Sequence, residues 1–188
     1  MDEQVTQRPE AESPKAGGRS DWWSGIFTDW VLSATWGAVF GLDQLTKYLV
    51  RANLRLGESW PAEGFARITH GTNTGTIFGL FSGQTVLLTV LSFGAIAFLF
   101  YFYRTHALPS PFLRFAIGLL LGGAFGNLLD RLRMGTVTDF VDIGPWPIFN
   151  VADSSIVVGI ALMVTLSVFT TKTEQPGQKA NAPPGDGA

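Results

Sequence analysis

Long apolar runs alternate with short polar segments along this chain of 188 residues. Four of the runs are close to the length of about 20 residues that a helix needs to cross the hydrocarbon core of a bilayer. They cover residues 30–50, 85–103, 112–132 and 151–169. The runs have no amphipathic period, which favours helices that face lipid or protein on every side. The pattern therefore predicts four transmembrane helices.

The two longer loops, residues 51–84 and 133–150, have patterns of their own. Apolar and polar residues alternate over residues 65–69, and residues 72–81 mix β-forming residues with glycines, which predicts a small sheet on the membrane. A plain hairpin between two helices is the alternative interpretation. In the second loop, Gly144-Pro-Trp-Pro147 excludes helix and forces a turn. The predicted fold is mainly α, an integral membrane protein of four transmembrane helices with a small extracytoplasmic β-sheet between helices 1 and 2.

Composition separates the membrane part from two polar tails. Residues 1–20 and 171–188 are rich in proline and polar residues, which predicts disordered tails around a membrane domain of residues 21–170. Hydrophobic residues make up 46% of the chain and charged residues 15%, and the mean hydropathy is +0.24. A soluble protein of this size would have to bury four helices completely, so the soluble alternative is disfavoured.

The charges predict an orientation. With four spans, both tails and the loop of residues 104–111 lie on one side. Lysine and arginine number seven on that side and six on the other. Lys47 and Arg131 are set aside as candidate site residues inside spans, and the comparison then becomes seven to four. An excess of positive charge marks the cytoplasmic side. Both termini are therefore expected in the cytoplasm and both long loops outside. The absence of cysteine excludes disulfides, a thiol nucleophile and a thiolate metal site.

Asp139 and Asp153 lie in polar stretches at the ends of apolar segments, on either side of the proline turn. Two carboxylates at the edge of a bilayer are costly unless they are used, so the pair is a candidate active site. Like charges placed close together do not both ionise easily, and the pair divides into an acid and a base. That division fits hydrolysis of a peptide bond by water. A carrier that relays ions or protons through these carboxylates is the alternative. Asp142 is expected to be a solvated loop residue.

Other polar residues lie inside the predicted spans. Asp43 and Lys47 are four residues apart in the order that favours an ion pair on a helix. Gly122 and Gly126 form a face of small residues that allows close helix packing. Asn127, Asp130 and Arg131 follow on the same helix, and their spacing places both charged residues beside Asn127. Structural support is the simpler interpretation of these charged residues.

Five sequence blocks, taken together and in this order, resemble the lipoprotein signal peptidase (signal peptidase II) family. They are Asp43-Gln-Leu-Thr-Lys47, Asn73-Thr-Gly75 with Phe78-Gly79, Gly122-Gly-Ala-Phe-Gly-Asn-Leu-Leu-Asp-Arg131, Gly135-Thr-Val-Thr-Asp-Phe140 and Phe149-Asn-Val-Ala-Asp153. The resemblance runs from Asp43 to Ile156. It departs at Thr76 and Ile77, where the family often has alanines, which puts the shape of the pocket beside Asn73 in question.

The resemblance implies an aspartyl endopeptidase of the bacterial inner membrane, with its site at the extracytoplasmic face. It would remove the signal peptide from prolipoproteins by cleaving before a cysteine that already carries diacylglycerol. Asp139 and Asp153 would be catalytic. Supporting or substrate-binding roles fall on Asp43, Lys47, Asn73, Gly75, Asn127, Asp130, Arg131 and Asn150. No cofactor or metal is implied, and His70 and His106 fall on opposite sides of the membrane. The expected partners are such prolipoproteins and membrane lipids, with no nucleic acid, and the enzyme is expected to act as a monomer.

Overall fold

The structure is a computed structural model that describes residues 29–74, 85–106 and 110–173. Its helices coincide with the four apolar runs: α1 (Trp30–Asn53), α2 (Thr85–Thr105), α3 (Pro111–Met134) and α4 (Val151–Thr173). Helix α4 continues three residues into the segment expected to be a tail, since the first proline after it is Pro176. The N-terminal tail, the remainder of the C-terminal tail, Gly75, Thr76 and Ile77 lie outside the described residues.

Three of the described helices are long and apolar enough to cross a membrane: α2, α3 and α4 up to Val168. Helix α1 is as long as α3 but does not join them. Asp43, Gln44 and Lys47 fall in its second half and reduce its apolar character. The protein is thus mainly helical with three candidate spans, and the crossing of α1 depends on how its polar residues are shielded.

Helix α3 is the centre of the helical part and packs mainly against α1 and α4. Glycines allow its close approach to α1: a Cβ atom added to Gly118 would lie 2.7 Å from Cβ of Thr35, and one added to Gly122 would lie 2.6 Å from Cβ of Val39. The predicted face of small residues is therefore a real contact, and Gly118 extends it by one turn.

The apolar surfaces of α2 and α4 face outward. Large side chains such as Val90, Phe98, Val157 and Val164 are exposed on these helices, whereas α3 is mostly buried. Wide exposed apolar surfaces of this kind mark contact with lipid or another protein. Exposed apolar side chains on the outer helices around a buried central helix are the arrangement expected of a membrane protein.

A three-stranded antiparallel sheet lies at one end of the helices. Its strands are β1 (Ser59–Trp60), β2 (Ala66–Asn73) and β3 (Val137–Ile143), in the order β1-β2-β3. The sheet was predicted within the loop between the first two helices, and that boundary was wrong, because β3 comes from the second loop. Strand β3 is buried on both faces through most of its length, so it lacks the alternation that reveals a half-exposed strand.

Candidate active site

The turn at the C-terminal end of α3 determines the position of Asp139. Gly135 takes a φ of +72°, which favours glycine, and its N–H donates to the carbonyl of Arg131 at 3.0 Å. The chain turns there, and β3 begins two residues later at Val137. Pairing with β2 then sets Asp139 opposite Gly71, next to an irregularity in the register. Asp139 is only 4% exposed.

Asp153 lies in the first turn of α4, three residues after Asn150, which caps the helix. The N–H of Asp153 donates to Oδ1 of Asn150 at 2.9 Å, and the N–H of Asn150 donates back to Oδ2 of Asp153 at 3.3 Å. This reciprocal arrangement is a capping box, which satisfies two N–H groups that a helix start leaves without partners. The start of a helix also favours negative charge. Asp153 is therefore held by the backbone of its own helix.

Asn150 joins the two carboxylates. Its side-chain Nδ2 donates to Oδ1 of Asp139 at 2.6 Å, while its backbone N–H and Oδ1 bond Asp153. Burial, and next the Asp153 carboxylate, raise the pKa of Asp139 to about 6, although hydrogen bonds from Asn73 and Asn150 oppose the rise. The predicted convergence of the two aspartates is present, and Asp139 can hold a proton at mildly acidic pH.

A buried network supports the pair from the helix side. Nζ of Lys47 lies 2.9 Å from Asp43 and 3.3 Å from Asp130, and it donates to Oδ1 of Asn127 at 2.8 Å. Asn127 in turn donates through Nδ2 to Oδ1 of Asp153 at 2.8 Å. Lys47 and Asp43 are both 0% exposed. The predicted Asp43 and Lys47 ion pair is thus confirmed, and it connects to Asp153 through one amide.

The same network ties α1 to the beginning of α4. Oδ1 of Asp43 accepts from the N–H of Ala152 at 2.9 Å. Oδ2 of Asp130 accepts from the N–H of Thr138 at 3.1 Å, immediately before Asp139. The two supporting carboxylates therefore bind the backbone next to each of the two central ones.

Arg131 and Asn73 also interact with the pair, and both are partly exposed. The Arg131 guanidinium interacts electrostatically with Asp153 and Asp139, and its Nη1 donates to Oγ of Ser92 at 3.4 Å. The side chain of Asn73 hydrogen-bonds Asp139. Asp130 is a further electrostatic partner of Arg131, and it also lies against Lys47, with Arg51 3.8 Å away.

The sequence reasoning missed three residues of this network. Nε2 of Gln44 donates to Asp43 at 3.1 Å and to Asp130 at 3.4 Å, and Nη1 of Arg51 donates to Oγ1 of Thr138 at 2.9 Å. A signal was present, because Arg51 follows Lys47 by the same four residues that separate Lys47 from Asp43. That regular spacing places all three charges on one face of α1.

Asp142 is not a solvated loop residue, so that expectation was wrong. It lies on β3 and is 4% exposed, and its Oδ2 accepts from Nη2 of Arg67 at 2.6 Å and from Oγ1 of Thr69 at 2.8 Å. The hydrogen bond from Thr69, with those from Arg67, lowers the pKa of Asp142. The error follows from missing β3, since a paired strand fixes this carboxylate against β2.

The arrangement offers acid and base groups but no cluster for a metal. Within residues 29–74, 85–106 and 110–173, no three or more histidine, cysteine, aspartate or glutamate side chains are grouped to hold a metal ion. Two buried carboxylates with different surroundings can divide the roles of proton donor and proton acceptor.

Comparison with known proteins gives a consistent result. The family described as Signal peptidase (SPase) II matches residues 35–169. A lipoprotein signal peptidase of Moorella thermoacetica is 42% identical over 133 residues, 66% of this chain and 84% of that protein. One of Staphylococcus aureus is 34% identical over 150 residues, 77% of this chain and 91% of that protein. A solved bacterial membrane enzyme superposes with a TM-score of 0.71 at 31% identity, covering 79% of this chain and 94% of its own.

Proposed function

The chain belongs to the signal peptidase II family, and from that membership we propose that it is an aspartyl endopeptidase with Asp139 and Asp153 as catalytic residues. Its activity is the removal of signal peptides from prolipoproteins. One observation carries the choice of residues: both carboxylates are held by Asn150, at the end of the helices where the sheet lies.

We assign the proton-donor role to Asp139 and the base role to Asp153. The raised pKa of Asp139 keeps a proton on it at mildly acidic pH. Asp153 accepts from Asn127 and from the Asn150 N–H in the first turn of α4, where negative charge is favourable. These two environments separate the roles as acid and base catalysis requires.

In the proposed reaction, Asp153 removes a proton from water while the water oxygen attacks the carbonyl carbon of the scissile bond. Asp139 gives its proton to the carbonyl oxygen, so the tetrahedral intermediate is neutral. The intermediate then collapses: Asp153 gives the proton it took from water to the nitrogen, Asp139 takes a proton back from a hydroxyl of the intermediate, and the carbon–nitrogen bond breaks to release the amine. The products are a carboxyl group on the signal peptide and a free amino terminus on the lipoprotein.

The supporting residues keep this pair in place and leave one side for substrate. Lys47, Asp43, Asp130 and Asn127 form a closed buried network behind Asp153. Arg131 is electrostatically coupled to both catalytic residues and is half-buried, so it is the candidate contact for the peptide backbone or the lipid linkage. Asn73, whose side chain hydrogen-bonds Asp139 from β2, is proposed to do the same. Gly75, two residues beyond it, is proposed to allow close backbone approach.

The proposed topology has four spans, with α1 crossing the membrane beside the other three. The polar residues Asp43 and Lys47 that lower its hydropathy face α3 and α4, whereas Leu42, Leu45 and Leu49 face outward. Lipid would therefore contact leucines rather than the ion pair. Four spans place both termini in the cytoplasm and the sheet with the catalytic pair outside, in the bacterial inner membrane.

The proposed substrate is a prolipoprotein whose cysteine already carries diacylglycerol. Such a substrate can reach a site at the membrane edge from the side, with its acyl chains kept in hydrocarbon. The test is a gel-shift assay with purified enzyme, acting on the diacylglyceryl-modified precursor and, in parallel, on the unmodified one. Cleavage of the modified precursor alone is expected. Cleavage of neither would overturn the peptidase assignment, and equal cleavage of both would overturn the lipid requirement.

A further inference from the structure

A narrow apolar groove lies outside the candidate active site, between the outer end of α1 and the sheet. Its volume is about 230 Å³, and five of its six lining residues are apolar. The residues that line it are Leu49, Val50, Asn53, Leu54, Trp60 and Ile68. Trp60 is 71% exposed at its rim, a position typical of aromatic residues at the membrane–water interface. The groove has the apolar lining that suits a hydrocarbon chain.

A polar depression adjoins this groove and shares Asn53 and Leu54 with it. Its other lining residues are Arg51, Ala52, Arg55, Leu56, Glu58 and His70. Nη1 of Arg51 already donates to Thr138 and lies 3.8 Å from Asp130, so Arg55 is the cation that this depression presents to a ligand. The depression has a fixed backbone, because Nδ1 of His70 lies 2.9 Å from the carbonyl oxygen of Leu54 and the N–H of Arg55 donates to Glu58 at 2.8 Å.

We propose that the groove and the depression together bind one anionic phospholipid of the surrounding membrane, with an acyl chain in the groove and the phosphate beside Arg55. An apolar groove that opens beside a cation matches the two parts of such a lipid, the acyl chain and the anionic headgroup. The proposal rests on the proposed placement of α1 across the membrane, which puts Leu49 at the outer edge of the hydrocarbon. It commits to a membrane phospholipid, since the diacylglyceryl anchor of a substrate carries no phosphate to match Arg55.

Native mass spectrometry of the full detergent-solubilised chain tests this, with dioleoyl phosphatidylglycerol compared with dioleoyl phosphatidylcholine. The wild type is expected to retain more phosphatidylglycerol, the anionic lipid, than phosphatidylcholine. Arg55→Gln should reduce that preference about fivefold, the effect of one cation near an anionic headgroup. Arg133→Gln removes the same charge from an exposed position outside the depression and should leave the preference unchanged. Arg133 is the matched control for charge.

The groove is tested separately by filling it. Leu49→Trp should reduce retention of both lipids, whereas Leu45→Trp, one turn earlier on the outward face of α1, should not. Equal retention of the two lipids by the wild type would overturn the proposal, as would an equal effect of Arg133→Gln and Arg55→Gln. Displacement of phosphatidylglycerol by the lipidated precursor would assign the groove to the substrate and overturn it as well. Precursor cleavage measured on the same samples distinguishes failure of this proposal from failure of the peptidase assignment.

Discussion

At the scale of single residues, the two carboxylates differ in what holds them. Asp139 is buried on a strand and is bonded by two amide side chains, from Asn73 and Asn150. Asp153 is bonded by the amide of Asn127 and by the backbone of its own helix cap. Asparagine at either position has the size of aspartate and keeps one oxygen that can accept a hydrogen bond. It cannot take up or release the catalytic proton, so the substitution removes proton transfer and preserves most of the packing contacts.

We expect Asp139→Asn and Asp153→Asn each to lower cleavage of the lipidated precursor by about 10² to 10⁴, the usual effect of losing a positioned acid or base. The double variant should be little worse than either single one, because the two residues act as a unit. The measurement is a cleavage rate on purified enzyme whose folding is checked by thermal unfolding. Near wild-type cleavage by either folded variant would contradict the aspartyl mechanism.

The raised pKa of Asp139 makes stability depend on pH with a definite sign. The folded protein holds this proton between pH 3.8 and about 6, where the unfolded chain has released it. Stability therefore falls as the pH rises through that interval. Asp139→Asn should match the wild-type Tm below the interval and exceed it above. Cleavage by the wild type should decline as the pH rises past about 6, because the pair loses its last proton. A Tm difference that does not change with pH would contradict the assigned shift.

Lys47 has more than one partner, which limits the damage of losing Asp43. Removing one member of a buried ion pair costs about 3 to 5 kcal/mol, and the lower end is expected for Asp43→Asn, since Asp130 remains 3.3 Å from Nζ of Lys47. The Tm and the protein yield should therefore fall. The cleavage rate of the folded fraction should be affected less. A fully stable Asp43→Asn enzyme without activity would instead give Asp43 a catalytic role.

How far the site could be predicted depends on the range of each interaction. The pair of Asp43 and Lys47 follows from helix periodicity, and the meeting of Asp139 and Asp153 follows from a short proline turn between them. The position of Asp142 depends on pairing with Arg67, which is 75 residues away in the chain. No local pattern specifies a partner at that separation, so the sequence could not place this carboxylate.

At the scale of elements, α3 organises the site because its glycines let α1 lie against it. A Cβ atom on Gly126 would collide with Oδ2 of Asp43, so this glycine leaves the space that the buried ion pair occupies. The helices themselves were predictable from their apolar runs. Strand β3 was not, because its stability comes from pairing with β2 and from burial on both faces.

We expect Gly126→Ala to destabilise the protein by about 1 to 3 kcal/mol, the usual cost of overpacking a close contact, and to disturb the Asp43 and Lys47 pair. Gly94→Ala in α2 is the matched control, since nothing lies within 4 Å of the added methyl group. That control should be neutral or stabilising by about 0.5 to 1 kcal/mol, because alanine is a better helix former. Equal Tm changes in the two variants would show that the contact is not tight.

At the scale of the whole molecule, the four-span topology predicts which surface faces outward. The chain has no cysteine, so a single introduced cysteine can be labelled without background. In intact cells, Glu63→Cys beside the sheet should react with an impermeant thiol reagent, and His106→Cys after α2 should react only once the cells are opened. Both positions are exposed in the structure. Labelling of position 106 in intact cells would contradict the orientation or the number of spans.

The capping box between Asn150 and Asp153 restricts how the enzyme can change during evolution. A substitution of Asp153 removes a helix cap together with a carboxylate, and a substitution of Asn150 removes the other half of the cap and the amide that binds Asp139. Apart from the near-isosteric Asp153→Asn, substitutions at these two positions are therefore expected to weaken folding and chemistry together. Resistance to a compound that occupies this site is therefore expected to arise at surrounding positions rather than at these two.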